Sequence, residues 1–241
     1  MGAATQPVPG ASVWRRVRVS VAAAAFASGS GTNLQALLDA EAEGAHYTIS
    51  LLVTDRPCGA EDRAATRGVS VRRIRFKDRP AEETGAEVLA AMTDSGVTLA
   101  VLAGFLRLIP EAVVHAFPRR ILNVHPALLP AFGGEVMYGI RVHQAVLASG
   151  ASLSGPTVHY VDERYDEGTI LAQWPVPVHG DDSPESLADR VLEAEHRLFP
   201  ASLDALARAI EAGGKPRFRW PGTDVSPFTW QSLTHAFEIE S

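Results

Sequence analysis

Hydrophobic positions along the chain fall into short blocks that alternate between two periods, and that alternation predicts strands separated by helices. The run 14–29, WRRVRVSVAAAAFASG, reads as a first strand ending in small residues. Leu34, Leu37 and Leu38 follow at helical spacing. Next come a buried strand at 49–54, a short helix at 59–67, a strand at 69–74, and a helix at 80–94 with Val88, Leu89 and Met92 inward. An apolar strand at 99–105, a helix at 110–117 and a strand at 120–124 continue the series. Further on, a helix at 142–148 precedes two strands at 157–161 and 169–178, an antiparallel C-terminal extension. Ser183-Pro184-Glu185 then opens a helix to 212 with an N-cap, a proline in the first turn and an acid at its positive end. Pro200 is expected to kink or split that helix. The whole predicts an α/β fold, a doubly wound, mostly parallel sheet. Residues 1–16, with Pro7, Pro9 and Gly10, read as a disordered leader, 17–212 as one domain, and 213–241, with Trp220 and Trp230, as a tail packed on it.

In such sheets ligands bind beyond the carboxyl ends of the strands, and four polar stretches fall there: 29–33, 54–56, 106–109 and 123–125. In ILNVHPALLP, Asn123 and His125 leave an extended backbone on the same side, and Pro126 holds His125 extended. An amide donor and an imidazole then converge where a carbonyl oxygen could sit. Taken alone, Asn123 equally caps a turn and His125 equally fills a core. Ser28-Gly29-Ser30-Gly31-Thr32-Asn33 ends a strand and opens a helix, so its free N–H groups could cradle a phosphate. It lacks the Gly-Lys-Ser/Thr of a Walker loop, and Leu34 stands where a dinucleotide fingerprint wants glycine or alanine. A tight structural turn remains the simpler alternative. Asp166 sits in an acidic loop between two strands, and Glu195 shares a stripe with Leu187 and Val191, where a carboxylate is either paired or waiting for a ligand.

Composition narrows the classes. The chain has 241 residues, 46% hydrophobic and 21% charged, enough for a full core. A net charge of −6 argues against nucleic acid or a membrane surface as main partner. The arginine-rich stretch 72–75 is local and reads as a strand end. The single Cys58 excludes an internal disulfide and suits a reducing cytoplasm. The arginines before Ala25-Phe26-Ala27 imitate a secretory signal, but cleavage there would remove the strand on which the glycine loop docks. The eight histidines show no HExxH spacing, so no metal is expected.

Three segments carry a resemblance: ASGSGTNLQALL, VLAGFLRLIP, and NVHPALLP followed by HYVDERYDEGTILAQ. Over about 17–212 the chain resembles the folate-dependent formyltransferase family, with a Rossmann-like fold, and the glycine loop resembles that of the glycinamide ribonucleotide branch. The resemblance implies transfer of a formyl group from 10-formyltetrahydrofolate, as co-substrate, to the amine of glycinamide ribonucleotide in purine synthesis. It implies Asn123, His125 and Asp166 as catalytic groups, and Gly31, Thr32, Asn33 and Glu195 as ribonucleotide contacts. It further implies Arg79, Leu106, Arg107, Leu108 and Ile109 as the folate cleft, and leaves a homodimer open. Formyl transfer needs an oxyanion stabilised, which the Asn123 amide and a protonated His125 would do, with Asp166 favouring the imidazolium and ordering a water. The loop 133–140 is longer than in many relatives, and Glu135 stands where a basic residue is expected, which puts the contacts of that loop in question. Two alternatives stay open: a formyltetrahydrofolate deformylase using the same three residues on water, and a non-catalytic binder of small molecules.

Overall fold

The computed structural model describes residues 20–219 and 236–240, so the leader, Trp220 and Trp230 lie outside the described residues. The chain runs β1 (Val21–Ala27), α1 (Thr32–Ala42), β2 (Tyr47–Thr54), α2 (Gly59–Thr66), β3 (Ser70–Arg73), α3 (Ala81–Asp94) and β4 (Leu99–Leu102). It continues through α4 (Glu111–Ala116), β5 (Ile121–His125), α5 (Ile140–Ser149), β6 (Leu153–Ser154), β7 (Thr157–Tyr160), β8 (Ile170–Gln173) and β9 (Val176–Pro177). The last elements are α6 (Pro184–Ala212), β10 (Lys215–Phe218) and β11 (Phe237–Glu240).

Among the described residues, seven strands form one sheet in the order β3-β2-β1-β4-β5-β7-β8. The five from β3 to β5 are parallel, while β7 and β8 add on antiparallel, as the sequence pattern predicts. Period-two alternation along β1 sends Ala23 and Ala25 into one core and Ala24 and Phe26 into the other. Leu34 and Leu37 of α1, Val146 of α5 and Leu198 of α6 cover the first face; Val88 and Met92 of α3, with Val113 of α4, cover the second. The strand order reverses between β1 and β4, which opens a crevice at their carboxyl ends.

Two elements differ from the sequence expectation. The strand expected at 169–178 is two strands: Trp174 N–H bonds to the Pro156 carbonyl, Pro175 has no N–H to continue the ladder, and β9 pairs with β6 instead. Helix α6 is not split; it runs 29 residues through Pro200. Leu198, Phe199, Leu203 and Leu206 are all buried around the proline, so tertiary packing holds the helix where one backbone bond is missing. Its start is fixed by reciprocal bonds between Ser183 and Ser186 and by Asp182 gripping Arg190 at 2.6 Å. Beyond it, β10 and β11 pair antiparallel and Phe237 packs into the first core.

Candidate functional site

Where β1, β4 and β5 end, a cleft of about 370 Å³ opens. Strand β5 presents Asn123 and His125, and the loop after β7 brings Asp166 against them. His125 is buried, with Nδ1 3.3 Å from Asp166 Oδ2 and Nε2 2.8 Å from the Phe132 carbonyl. Nε2–H donates to Phe132, so the Nδ1 contact with Asp166 becomes a hydrogen bond only when the ring carries a second proton. Burial pushes the imidazole below its ordinary value, against the Asp166 carboxylate and the Phe132 carbonyl, which pull it up. For Asp166, burial pushes upward, but the neighbouring His159 and His125 imidazoles and the Gly134 N–H, which donates to Oδ2 at 2.9 Å, together outweigh it and hold the carboxyl low. Asp166 is therefore a carboxylate at neutral pH, and it adopts φ 58 to face inward.

The antiparallel register explains a residue that the sequence reading passed over. Asn123 pairs with His159 and His125 with Thr157 across β5 and β7. Asn123 Nδ2 accordingly donates to His159 Nε2 at 3.0 Å and to Asp166 Oδ1 at 3.3 Å. His159 Nδ1–H is anchored 3.0 Å from the Tyr160 carbonyl, which leaves its Nε2 as acceptor. The alternation in Thr157-Val158-His159 is the signal that could have found it, because it mirrors Asn123-Val124-His125 on the facing strand. Thr157 Oγ1 donates to the Ala127 carbonyl at 2.6 Å and accepts from Leu129 N–H at 3.0 Å, while Gln173 holds the Leu129 carbonyl. This clasp fixes the chain just beyond His125. A third buried histidine, His143 of α5, also lines the cleft, with Nδ1 lacking a partner among the described residues.

At the other end, Asn33 and Glu195 share the cleft wall. Asn33 Nδ2 donates to Glu195 Oε2 at 2.7 Å, and Asn33 Oδ1 is buried without a partner among the described residues. Burial without a cation raises the Glu195 carboxyl to about 7, only partly offset by Asn33. Gly31 and Thr32 do not line this cleft. Gly31 caps α1 with φ 75 and lies against α2, where an added Cβ would come within 2.7 Å of Ala60 Cα. Thr32 faces a neighbouring pocket with Arg63 and His196.

The stretch between β4 and α4 forms the third side. Gly104, at φ 76, ends the apolar strand earlier than the sequence suggests, and Leu106 N–H then bonds to Ser28 Oγ at 3.2 Å. Leu106 and Leu108 are exposed at the rim, Ile109 is buried, and Arg107 is tethered by buried Asp55 at 2.9 Å, a contact the sequence did not reveal. Arg79 is not in the cleft; it pairs with Glu87 at 2.6 Å and lines an adjoining depression behind Leu108 and Ile109. Glu135 and Tyr138 of the loop 133–140 close the opposite rim.

The family profile described as formyl transferase matches residues 21–203. The chain belongs to the formyl transferase family. Among its relatives, the chloroplastic phosphoribosylglycinamide formyltransferase of Arabidopsis thaliana is 46% identical, covering 76% of this chain. The match takes in 64% of that plant protein, so the chain spans less than two thirds of its length. The phosphoribosylglycinamide formyltransferase of Mycobacterium tuberculosis is 40% identical over 76% of this chain and 83% of its own. Glycinamide ribonucleotide transformylase 1 of Symbiobacterium toebii superposes with TM-score 0.74 at 34% identity, covering 83% of this chain and 93% of its own.

Proposed function

We propose that this formyl transferase moves the formyl group of 10-formyltetrahydrofolate to the primary amine of glycinamide ribonucleotide, a step of purine synthesis. The observation that carries this reading is the cleft itself, which joins Asn33, at the start of α1, to Asn123, His125 and Asp166 in one cavity. An acceptor anchored by its ribose phosphate at the first end would present its amine at the second. The donor would enter between Leu106, Arg107, Leu108 and Ile109 and the Asp166 loop, with Arg79 reachable only by a portion of the donor extending past Leu108.

The amine nitrogen attacks the formyl carbon, the carbonyl oxygen becomes an oxyanion, and collapse expels N10 of the folate, which gains the proton the amine loses. Both Asn123 N–H groups are already committed in the structure, so the 3.3 Å bond to Asp166, the longer of the two, is the one to yield to the oxyanion. His125 gains its second proton between Asp166 and Phe132, which puts positive charge beside the oxyanion. Asp166 would order the water that carries the proton. No step needs a metal. The half-buried Cys58 suits a reducing compartment, and among the described residues no helix is long and apolar enough to cross a membrane.

The test is tetrahydrofolate release from 10-formyltetrahydrofolate with and without glycinamide ribonucleotide. Release that depends on the ribonucleotide, with formylated product, is expected. Release at the same rate without it would mean hydrolysis and overturn the proposal.

A further inference from the structure

Asp166 borders two spaces. Besides the cleft it lines a second pocket, of about 480 Å³, formed by Leu129, Pro130, Gly133, Glu167 and Ile170. Gly134, Tyr165 and Asp166 are the residues that the two have in common. Pro130, Glu167 and Ile170 are exposed, so the second pocket opens to water through residues that take no part in the cleft.

The wall between the two is one carboxylate thick. A Cβ built on Gly133, which lines only the second pocket, would come within 3.2 Å of Asp166 Cβ and 3.8 Å of Asp166 Oδ2. Gly133 is not one of the glycines with positive φ, so what its missing side chain supplies here is room beside that carboxylate. Oδ2 is also the oxygen that accepts from Gly134 N–H at 2.9 Å and stands 3.3 Å from His125 Nδ1. A single atom thus meets the reacting end on one side and the second pocket on the other.

A proton count gives that arrangement a use. The acceptor's amine is an α-amino group, with an ordinary pKa of about 7.7–8.0, so near neutral pH it arrives mainly as an ammonium. Of the three ammonium protons, one stays on the amide nitrogen of the product and one goes to N10 with the electron pair of the broken bond. The third has to reach water, and with donor and acceptor both seated the cleft is filled. We propose that this third proton leaves through the second pocket: the Asp166 carboxylate accepts it by way of the water it orders, then passes it to water beside Gly133. The free amine then attacks as described above. This rests on the formyl-transfer reading.

The test narrows the mouth of the second pocket at Ile170, which is exposed and outside the cleft lining. Ile170→Trp and Ile170→Ala, each shown folded by thermal melt, are compared with wild type on glycinamide ribonucleotide. Ile170→Trp should lower kcat roughly fivefold or more near pH 6.5, where the acceptor binds charged, and leave it within about twofold near pH 9, where it binds as the free amine. Ile170→Ala should follow wild type at both. Equal loss in Ile170→Trp at the two pH values, or none at either, overturns the proposal. Thiol labelling separates this from the functional reading. In a Cys58→Ser background, methyl methanethiosulfonate should modify the thiol introduced by Gly133→Cys, and Ile170→Trp should slow that reaction about tenfold. Labelling slowed in this way, where the wild type makes no formylated ribonucleotide, retains the opening beside Asp166 and removes the formyl-transfer reading with the proton it would release. Labelling that is absent, or that Ile170→Trp leaves unchanged, removes the opening, whatever the transfer assay shows.

Discussion

The two ends of the cleft solve opposite problems. Around Asn123, His125 and Asp166 the polar atoms are tied to one another or to backbone: Phe132, Gly134 and Tyr160 supply the outer bonds. Around Asn33 and Glu195 the network is open: among the described residues Asn33 Oδ1 is buried with nothing to bond, and Glu195 has no cation. A closed network fixes geometry before any ligand arrives, which chemistry requires. An open one carries a standing desolvation cost that a ligand relieves, which recognition requires. On the proposed function, rigidity lies where bonds would change and unsatisfied polarity where the acceptor would be read.

The comparison breaks most visibly at the closed end. Asn123→Ala should lower kcat by roughly 10²-fold or more, the scale of one oxyanion donor, with little change in KM. Steady-state kinetics near wild type would remove Asn123 from the chemistry. Asp166→Asn removes the carboxylate that opposes burial at His125, so the imidazole should titrate still lower and activity near neutral pH should fall; an NMR titration of His125 that does not move would refute the pairing.

At the open end the expected effect is on stability. Glu195 has a folded value of about 7 against 4.5 unfolded, so the folded state holds the proton more tightly. Its contribution is present below pH 4.5 and is lost as pH rises through 7, a difference on the order of 3 kcal/mol. Glu195→Gln should flatten that dependence, and melts at pH 5 and pH 8 decide it: a variant that still loses stability in parallel with wild type sinks the assignment.

Smaller again is the contrast between two glycines of one loop. Gly31→Ala combines φ 75 with a Cβ only 2.7 Å from Ala60, and should cost about 1–3 kcal/mol. Gly29→Ala meets nothing within 4 Å and should leave the melt within about 0.5 kcal/mol. Equal melts for the two would show that the loop is not packed on α2. Gly31 thus has a packing reason to be glycine that the sequence could not show, and Gly29 is the cleaner position for testing ligand approach.

What was legible follows from what is local. Period-two and 3.6 spacing gave the sheet, and proximity at strand ends gave Asn123 and His125, because a doubly wound sheet brings such ends to one crevice, while only the family resemblance added Asp166 to them. What depends on partners distant in sequence was not legible. Pro200 reads as a break until burial on both sides of it is counted, and Trp174-Pro175 reads as strand until Pro156 claims the Trp174 amide. His159 needed the register with β5. Glu195 lay between: its stripe marked it as buried, and only the fold could name Asn33 as its neighbour.

The Thr157 and Gln173 clasp on residues 127–129 has a bearing on how such a protein can diversify. It anchors the backbone between β5 and everything downstream, and the Phe132 carbonyl and Gly134 N–H then bond His125 and Asp166, so residues 135–140 hang from a segment that is already fixed. A segment grafted there, shorter or longer, would reshape the mouth of the cleft while the 3.3 Å spacing of His125 and Asp166 stays put. Loop length beyond Gly134 becomes a free variable for descent or for engineering, provided the Phe132 and Gly134 bonds to His125 and Asp166 are kept.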